Sequence, residues 1–280
     1  MNFNSKNRTS LTFCLILFEL FLVFPDAALP EETRPAAHHL DRDFINTFAL
    51  DLKGVLISPG EWDSKDIIWL SACLGTGVLI YSQDDEIQRW IRENKGSTSK
   101  AIAPYIRCFG KGGCLSLTLA AFYVTGELFH RKNLRETALM GLESWLISGA
   151  VVWSFKILAG RARPLVGNPS NSFRPFSFVS RYNSLPSGDA SSAFAVATVI
   201  AEQSKSLCVD ALVFSLAGLV ALYRVHDDKH WLSDAFIGST IGYVVAKKIV
   251  KLHRNGNESG IHLGILPLMG GSGVSLSLSF

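Results

Sequence analysis

The sequence predicts an all-α protein: a six-helix bundle core followed by a short C-terminal tail of β-hairpin type. Two observations predict it. Six apolar blocks lie at residues 67–82, 101–125, 138–159, 190–201, 207–223 and 231–250. Each is long enough for a helix, and most are rich in Ala, Leu and Gly with little strand-like alternation. The end of the chain differs in kind: "VSLSLSF" (274–280) alternates strictly between apolar and polar residues, and with "GGSG" (270–273) before it the pattern is that of a hairpin.

Taken in order, residues 1–28 read as an export signal. Lys6 and Arg8 supply a basic start, "LTFCLILFELFLVF" (11–24) is an apolar run short for a span, and "DAA" (26–28) offers small residues for cleavage. Residues 29–65 are mixed and polar, with amphipathic spacing at Phe44, Phe48 and Leu52. The helical domain is expected over 66–254 and the tail over 255–280.

Composition narrows the function. Of 280 residues 48% are hydrophobic and 18% charged, which is greasier than most soluble domains and excludes a disordered chain. The net charge of +3 is small and spread out, without the basic stripe and interleaved aromatics of a nucleic-acid surface. Past the signal, Cys73, Cys108, Cys114 and Cys208 lack metal-type pairing. In an exported chain Cys108 and Cys114 are either a disulfide or two buried thiols.

A membrane span needs about 20 apolar residues. Block 190–201 is shorter, and Arg107, Lys111, Glu143 and Lys156 interrupt two others. The basic stretches "HRKNLRE" (130–136) and "KKIVKLHR" (247–254) would share one side of a six-span bundle, as the positive-inside rule asks. Six spans that end inside must also begin inside, however, whereas a cleaved signal leaves the new N-terminus outside. Either the signal is misread, one block does not span, or the bundle is exported; the short, charge-broken blocks favour an exported bundle, periplasmic or resting on a membrane.

Three segments place cations in this apolar chain. In "KILAGRARP" (156–164) Lys156 sits inside a helix and Arg163 at its end, just before a helix-stopping proline; the spacing of seven puts both on one helical face, two turns apart. Arg161 lies nearby on another face, and the segment taken alone reads as snorkelling cations or a solvated helix end. In "LPSGDASSAF" (185–194) Ser187 is a helix N-cap and Gly188 permits close backbone approach. In "YRVHDDKHWLSD" (223–234) Arg224 precedes a loop, and His230 and Asp234 are four apart at a helix start, so they can touch. A carboxylate on one imidazole nitrogen would leave the other free as a base or nucleophile. Together Lys156, Arg163, Ser187, Gly188 and Arg224 make an anion cradle beside an oriented imidazole, and phosphoryl transfer is mainly positioning and charge stabilisation.

These segments resemble the type 2 phosphatidic acid phosphatase and vanadium haloperoxidase superfamily, whose signature is K-x6-R-P, then P-S-G-H, then S-R-x5-H-x3-D. "KILAGRARP" matches the first part fully, "PSGD" three of four positions of the second, and "YRVHDDKHWLSD" the third with Tyr223 in place of Ser. The resemblance covers about residues 100–250. It implies a helical bundle with the site at helix ends, and for the phosphatases no metal. It implies that His230 attacks phosphorus to form a phosphohistidine, that Asp234 orients His230, and that Lys156, Arg163, Arg224, Ser187 and the Gly188 N–H hold the phosphoryl oxygens.

In the family the His after P-S-G protonates the leaving alcohol; here that position is Asp189. An ionised carboxylate only accepts hydrogen bonds and repels a phosphate. Either Asp189 acts as an acid at low pH or with phosphate bound, or His226 donates the proton, or the chain binds phosphate without turning it over.

The expected function is hydrolysis of a phosphomonoester or diphosphate carried by a lipid, with the active site facing outward and a membrane nearby. Alternatives are an exported acid phosphatase acting on small soluble phosphomonoesters, a vanadate-dependent haloperoxidase, and a non-catalytic binder of phosphate or lipid headgroups.

Overall fold

The fold is described from a computed structural model over residues 42–96, 112–255, 261–268 and 271–278, together with Leu40, Ile106 and Phe109. The export signal at 1–28, Arg107, Lys111 and Cys108 lie outside the described residues. Seven α-helices occur among them: α1 (Arg42–Ile57), α2 (Ser64–Glu93), α3 (Gly112–Leu128), α4 (Lys132–Ala159), α5 (Gly188–Ser204), α6 (Leu207–His226) and α7 (Leu232–Asn255). Each of the six apolar blocks contributes to one of α2 to α7, and the amphipathic segment supplies α1.

Local chemistry sets the helix ends. Asp63 caps α2 through a reciprocal box: its side chain accepts from Lys65 N and Asp66 N, and Asp66 accepts from Asp63 N. Ser187 caps α5 by accepting from Ala190 N. Helix α4 stops at Gly160, which is left-handed at φ +59°, where a Cβ would sit 1.7 Å from Arg174 O. The helix therefore ends before Arg163. Lys156 and Arg163 do not share a helical face, because Arg163 is already extended (φ −76°, ψ 149°), as a residue before proline prefers.

Helix α5 is central and packs on α4, α6 and α7. Ala190, Ala193, Ala195, Val196, Ala197 and Val199 are all buried, so this 17-residue helix carries few charges because its neighbours enclose it. Helix α7 crosses it closely through two small residues four apart. A Cβ on Gly238 would lie 2.3 Å from Ser187 O, and one on Gly242 2.1 Å from Ser191 O. This crossing presses the start of α7 against the Pro-Ser-Gly turn.

Two of the charges that interrupt the apolar blocks turn inward. Glu143 is fully buried and Lys156 partly so, while Leu146, Trp153, Phe155 and Leu158 of the same helix face outward. Exposed Ile67, Ile68, Leu74, Val78 and Leu79 on α2 and Leu219 and Leu222 on α6 extend that apolar exterior. Helices α4 and α6 are long and apolar enough to cross a membrane. Interior charges therefore do not argue against spanning, because polar groups of a membrane bundle face its inside.

Residues Ile261–Leu268 (β1) and Gly271–Leu278 (β2) form an antiparallel pair with Ile261 opposite Leu278 and Leu268 opposite Gly271. The strands flank residues 269–270, so most of "GGSG" lies within β2. Cys114 is disulfide-bonded, and Cys73 and Cys208 are free thiols.

Candidate phosphate site

Four helix ends meet at one pole of the bundle: the last turn of α4, the first of α5, the last of α6 and the first of α7. A 28-residue connection from Gly160 to Ser187 closes this pole and is pinned to itself. Ala162 N donates to Ser172 O, Arg163 N to Arg181 O, and Ser184 N to Arg161 O.

His230 is almost wholly buried, and its Nδ1 lies 2.6 Å from the backbone carbonyl of Ser184. A carbonyl only accepts, so Nδ1 carries the hydrogen and Nε2 keeps the lone pair of a neutral imidazole. Burial is the main reason the ring stays neutral. The positive fields of Lys156, Arg163 and Arg224 add to it, and His230 is held well below its ordinary 6.5.

Asp234 does not touch the imidazole, contrary to the sequence expectation. Its carboxylate accepts from Arg161 Nη1 at 2.6 Å, Ser184 Oγ at 2.5 Å and Trp231 N at 2.9 Å. The i,i+4 spacing fails because His230 precedes α7, which begins at Leu232, so the two are not on one helical face. Asp234 reaches His230 through Ser184, whose hydroxyl it holds and whose carbonyl holds the ring.

Arg161, which the sequence places only as a neighbour of the cradle, is part of the interior. It is fully buried, pairs with Asp84 at 2.8 Å and Asp234 at 2.6 Å, and donates to Ser233 Oγ and Ser170 O. The Tyr81 and Trp231 rings lie 4.7 and 5.4 Å from its guanidinium carbon. It is a structural hub that binds α2, the closing connection and α7 together. Asp84, Ser184 and Ser233 were missed by the sequence reading. Asp84 lies in the polar run "SQDDEIQ" (82–88), and nothing local distinguishes it.

The cations lie as follows. Lys156 Nζ donates to Asn183 O at 2.7 Å. Arg163 Nε and Arg224 Nε are buried without a hydrogen-bond partner. Arg224 Nε does lie 2.8 Å from Asp189 Oδ2, an ion pair whose alignment falls short of a hydrogen bond. Buried guanidinium donors without acceptors are costly alone and suit an incoming oxyanion. Ser187 is fully buried at the cap of α5, and Gly188 follows it, 3.9 Å from Lys156 Cε as measured from an ideal Cβ. Ala190 N is taken by the cap and Ser191 N by Ser187 O, so the Gly188 and Asp189 N–H groups are the ones in that first turn suited to an anion.

Asp189 sits in the same turn. A carboxylate there is favoured by the helix dipole and by Arg224, which accounts for a negative charge at this position. His226 stacks on Tyr223, ring centroids 6.2 Å apart.

Fold and site together define a helical protein with Lys156, Arg163 and Arg224 around a neutral, buried imidazole at one pole. Residues 138–258 match the model of the PAP2 superfamily, the family the three segments resemble. Among solved structures, LpxE of Aquifex aeolicus is 23% identical with a TM-score of 0.49, covering 60% of this chain and 94% of that one. A transmembrane PAP2 type phosphatidylglycerolphosphate phosphatase from Bacillus subtilis is 16% identical with a TM-score of 0.48, covering 76% and 95%. No curated protein matches the chain.

Proposed function

We propose that the protein is a phosphatase that hydrolyses a phosphomonoester or diphosphate on a lipid, through a phosphohistidine at His230. The observation that carries this reading is the state of His230: Nδ1 bound to Ser184 O, Nε2 bearing its lone pair, and the fields of Lys156, Arg163 and Arg224 upon it. Nε2 attacks phosphorus, the bond to the leaving oxygen breaks, and the P–N bond is then hydrolysed by water. Arg163, Arg224, Lys156, Ser187 and the Gly188 N–H stabilise the equatorial oxygens. Asp234 keeps Ser184 in place and acts on the imidazole at one remove. The leaving oxygen takes its proton from the Asp189 side chain or from water.

The apolar exterior and the closing connection favour a lipid. Phe173, Phe176, Phe178 and Val179 are exposed beside the site, on the stretch that also carries Arg174 and Arg181. Such a face suits an acyl–headgroup boundary. The reading places the phosphatase unit at residues 66–254 and, from the signal at 1–28, the site on the outer side of the membrane.

The test is phosphate release from a short-chain lipid phosphate. Release is expected from the wild type and none from His230→Ala; no release above background from pH 4 to 8 (roughly the range over which carboxyl and imidazole groups titrate) overturns the reading. The Asp189–Arg224 ion pair favours one second reading, a phosphate binder without turnover. Tight phosphate binding with no release under the same conditions would establish it.

A further inference from the structure

Three titratable side chains from three helices meet at the other pole of the bundle. Asp51 comes from α1, Glu143 from α4 and His253 from the last turn of α7. Along α4, Glu143 and Lys156 are separated by on the order of 20 Å at 1.5 Å per residue, so this cluster is remote from the phosphate cradle. Glu143 is fully buried, and Asp51 and the His253 side chain nearly so.

His253 Nε2 lies 2.9 Å from Asp51 Oδ2 and 2.8 Å from Glu143 Oε2. One ring nitrogen therefore faces two carboxylate oxygens, and a single N–H can align with only one of them. A proton at that point is shared among one ring nitrogen and two carboxylate oxygens. A divalent cation there accepts a lone pair from all three groups and balances both carboxylates against a neutral imidazole. The geometry is close to what this needs: the ligand atoms all lie within 4.8 Å of one another. Metal–ligand bonds of about 2.1 Å set such atoms roughly 3.4 Å apart in a tetrahedron, an opening of about half an ångström from the present contacts.

We infer that Asp51, Glu143 and His253 form a binding site for a divalent cation of the zinc or manganese kind, which clamps α1 to the bundle. The imidazole selects against Mg2+ and Ca2+, which take oxygen ligands. The consequence falls on α1, whose Phe48, Leu52 and Val55 pack on the core that contains Ile249 and Val250. The competitor is a proton. Burial pulls His253 down, but hydrogen bonds to Asp51 and Glu143 outweigh it and push it up to about 9, so the cation must displace that proton. The clamp is structural and separate from the phosphate chemistry.

The experiment uses the untagged full chain, stripped with a chelator and titrated with Zn2+ and with Mn2+ in a calorimeter. One ion per chain is expected, with the amides of α1 exchanging hydrogen more slowly once Zn2+ is added. His253→Gln keeps an amide donor between the carboxylates, and Glu143→Gln keeps the shape; each should weaken binding on the order of 100-fold or more. A wild-type measurement stands independently of how the variants fold: X-ray absorption at the zinc edge should show nitrogen and oxygen neighbours and no sulfur. No stoichiometric binding means that a proton alone holds the cluster and overturns the inference. Unchanged affinity in well-folded variants, sulfur ligation from a cysteine, or binding without protection of α1 would also overturn it.

Discussion

Ser184 holds His230 through its backbone and Asp234 through its side chain: the carbonyl is 2.6 Å from Nδ1 and the hydroxyl 2.5 Å from Oδ2. The serine is thus the joint between the imidazole and the carboxylate that the motif spacing pairs directly.

Ser184→Ala tests that joint. The variant keeps the carbonyl and loses only the tie to Asp234, so His230 stays neutral but loses positional restraint. We expect kcat to fall about tenfold to a hundredfold with KM little changed. Steady-state kinetics on one substrate suffice. A silent variant would mean that Asp234 does not act through Ser184.

Asp189→His addresses the missing acid. Asp189 currently faces Arg224 at 2.8 Å. An imidazole there removes the repulsion toward phosphate, frees Arg224 and supplies a donor near neutral pH. General acid catalysis is worth typically 10²–10⁴-fold, so a gain on the order of 100-fold in kcat/KM at pH 7 is expected, with the optimum moving toward neutral. A loss would show that Asp189 has a working role of its own. Asp189→Asn, which supplies no acid, should lower KM without raising kcat.

The pH dependence has a definite sign. Burial and three cations hold His230 well below 6.5, so the imidazole proposed as nucleophile stays neutral into the acid range. Its acid limb in a profile of kcat/KM should therefore lie below pH 6.5, and an acid limb above 6.5 contradicts the assignment. Stability follows from linkage. Between the folded value and 6.5 the unfolded chain binds a proton at this residue and the folded chain does not, so stability falls as pH drops through that window. Above 6.5 both states are neutral and the residue contributes no slope. Denaturant unfolding of His230→Asn against the wild type, from pH 7 to 5 (about the window in which histidine titrates), should show a shallower loss in the variant.

Phe176→Ser combined with Phe178→Ser separates lipid from soluble substrates. Both rings are exposed beside the site and hold no part of the core. KM for a lipid phosphate in vesicles should rise on the order of tenfold, while an aryl phosphate in solution is unaffected. Equal effects on both would argue for a soluble phosphomonoester.

Much of this protein is legible from its sequence because the relevant information is local. Apolar runs interrupted by polar residues and breakers mark α2 to α7. Helix caps lie within three residues of the groups they satisfy, as at Ser187. Lys156, Arg163, Ser187, Gly188, Arg224 and His230 fall in three short segments whose residue types and spacing suit a phosphate. What the tertiary structure decided is how distant residues share their charges. Arg161 reads as a solvated helix end until Asp84, 77 residues away, and Asp234, 73 away, enclose it. Ser184 and Asp234 are 50 apart. Asp51, Glu143 and His253 meet only because α1, α4 and α7 converge. A buried charge needs its partners close in space, but no periodicity along the chain records which residue that partner is.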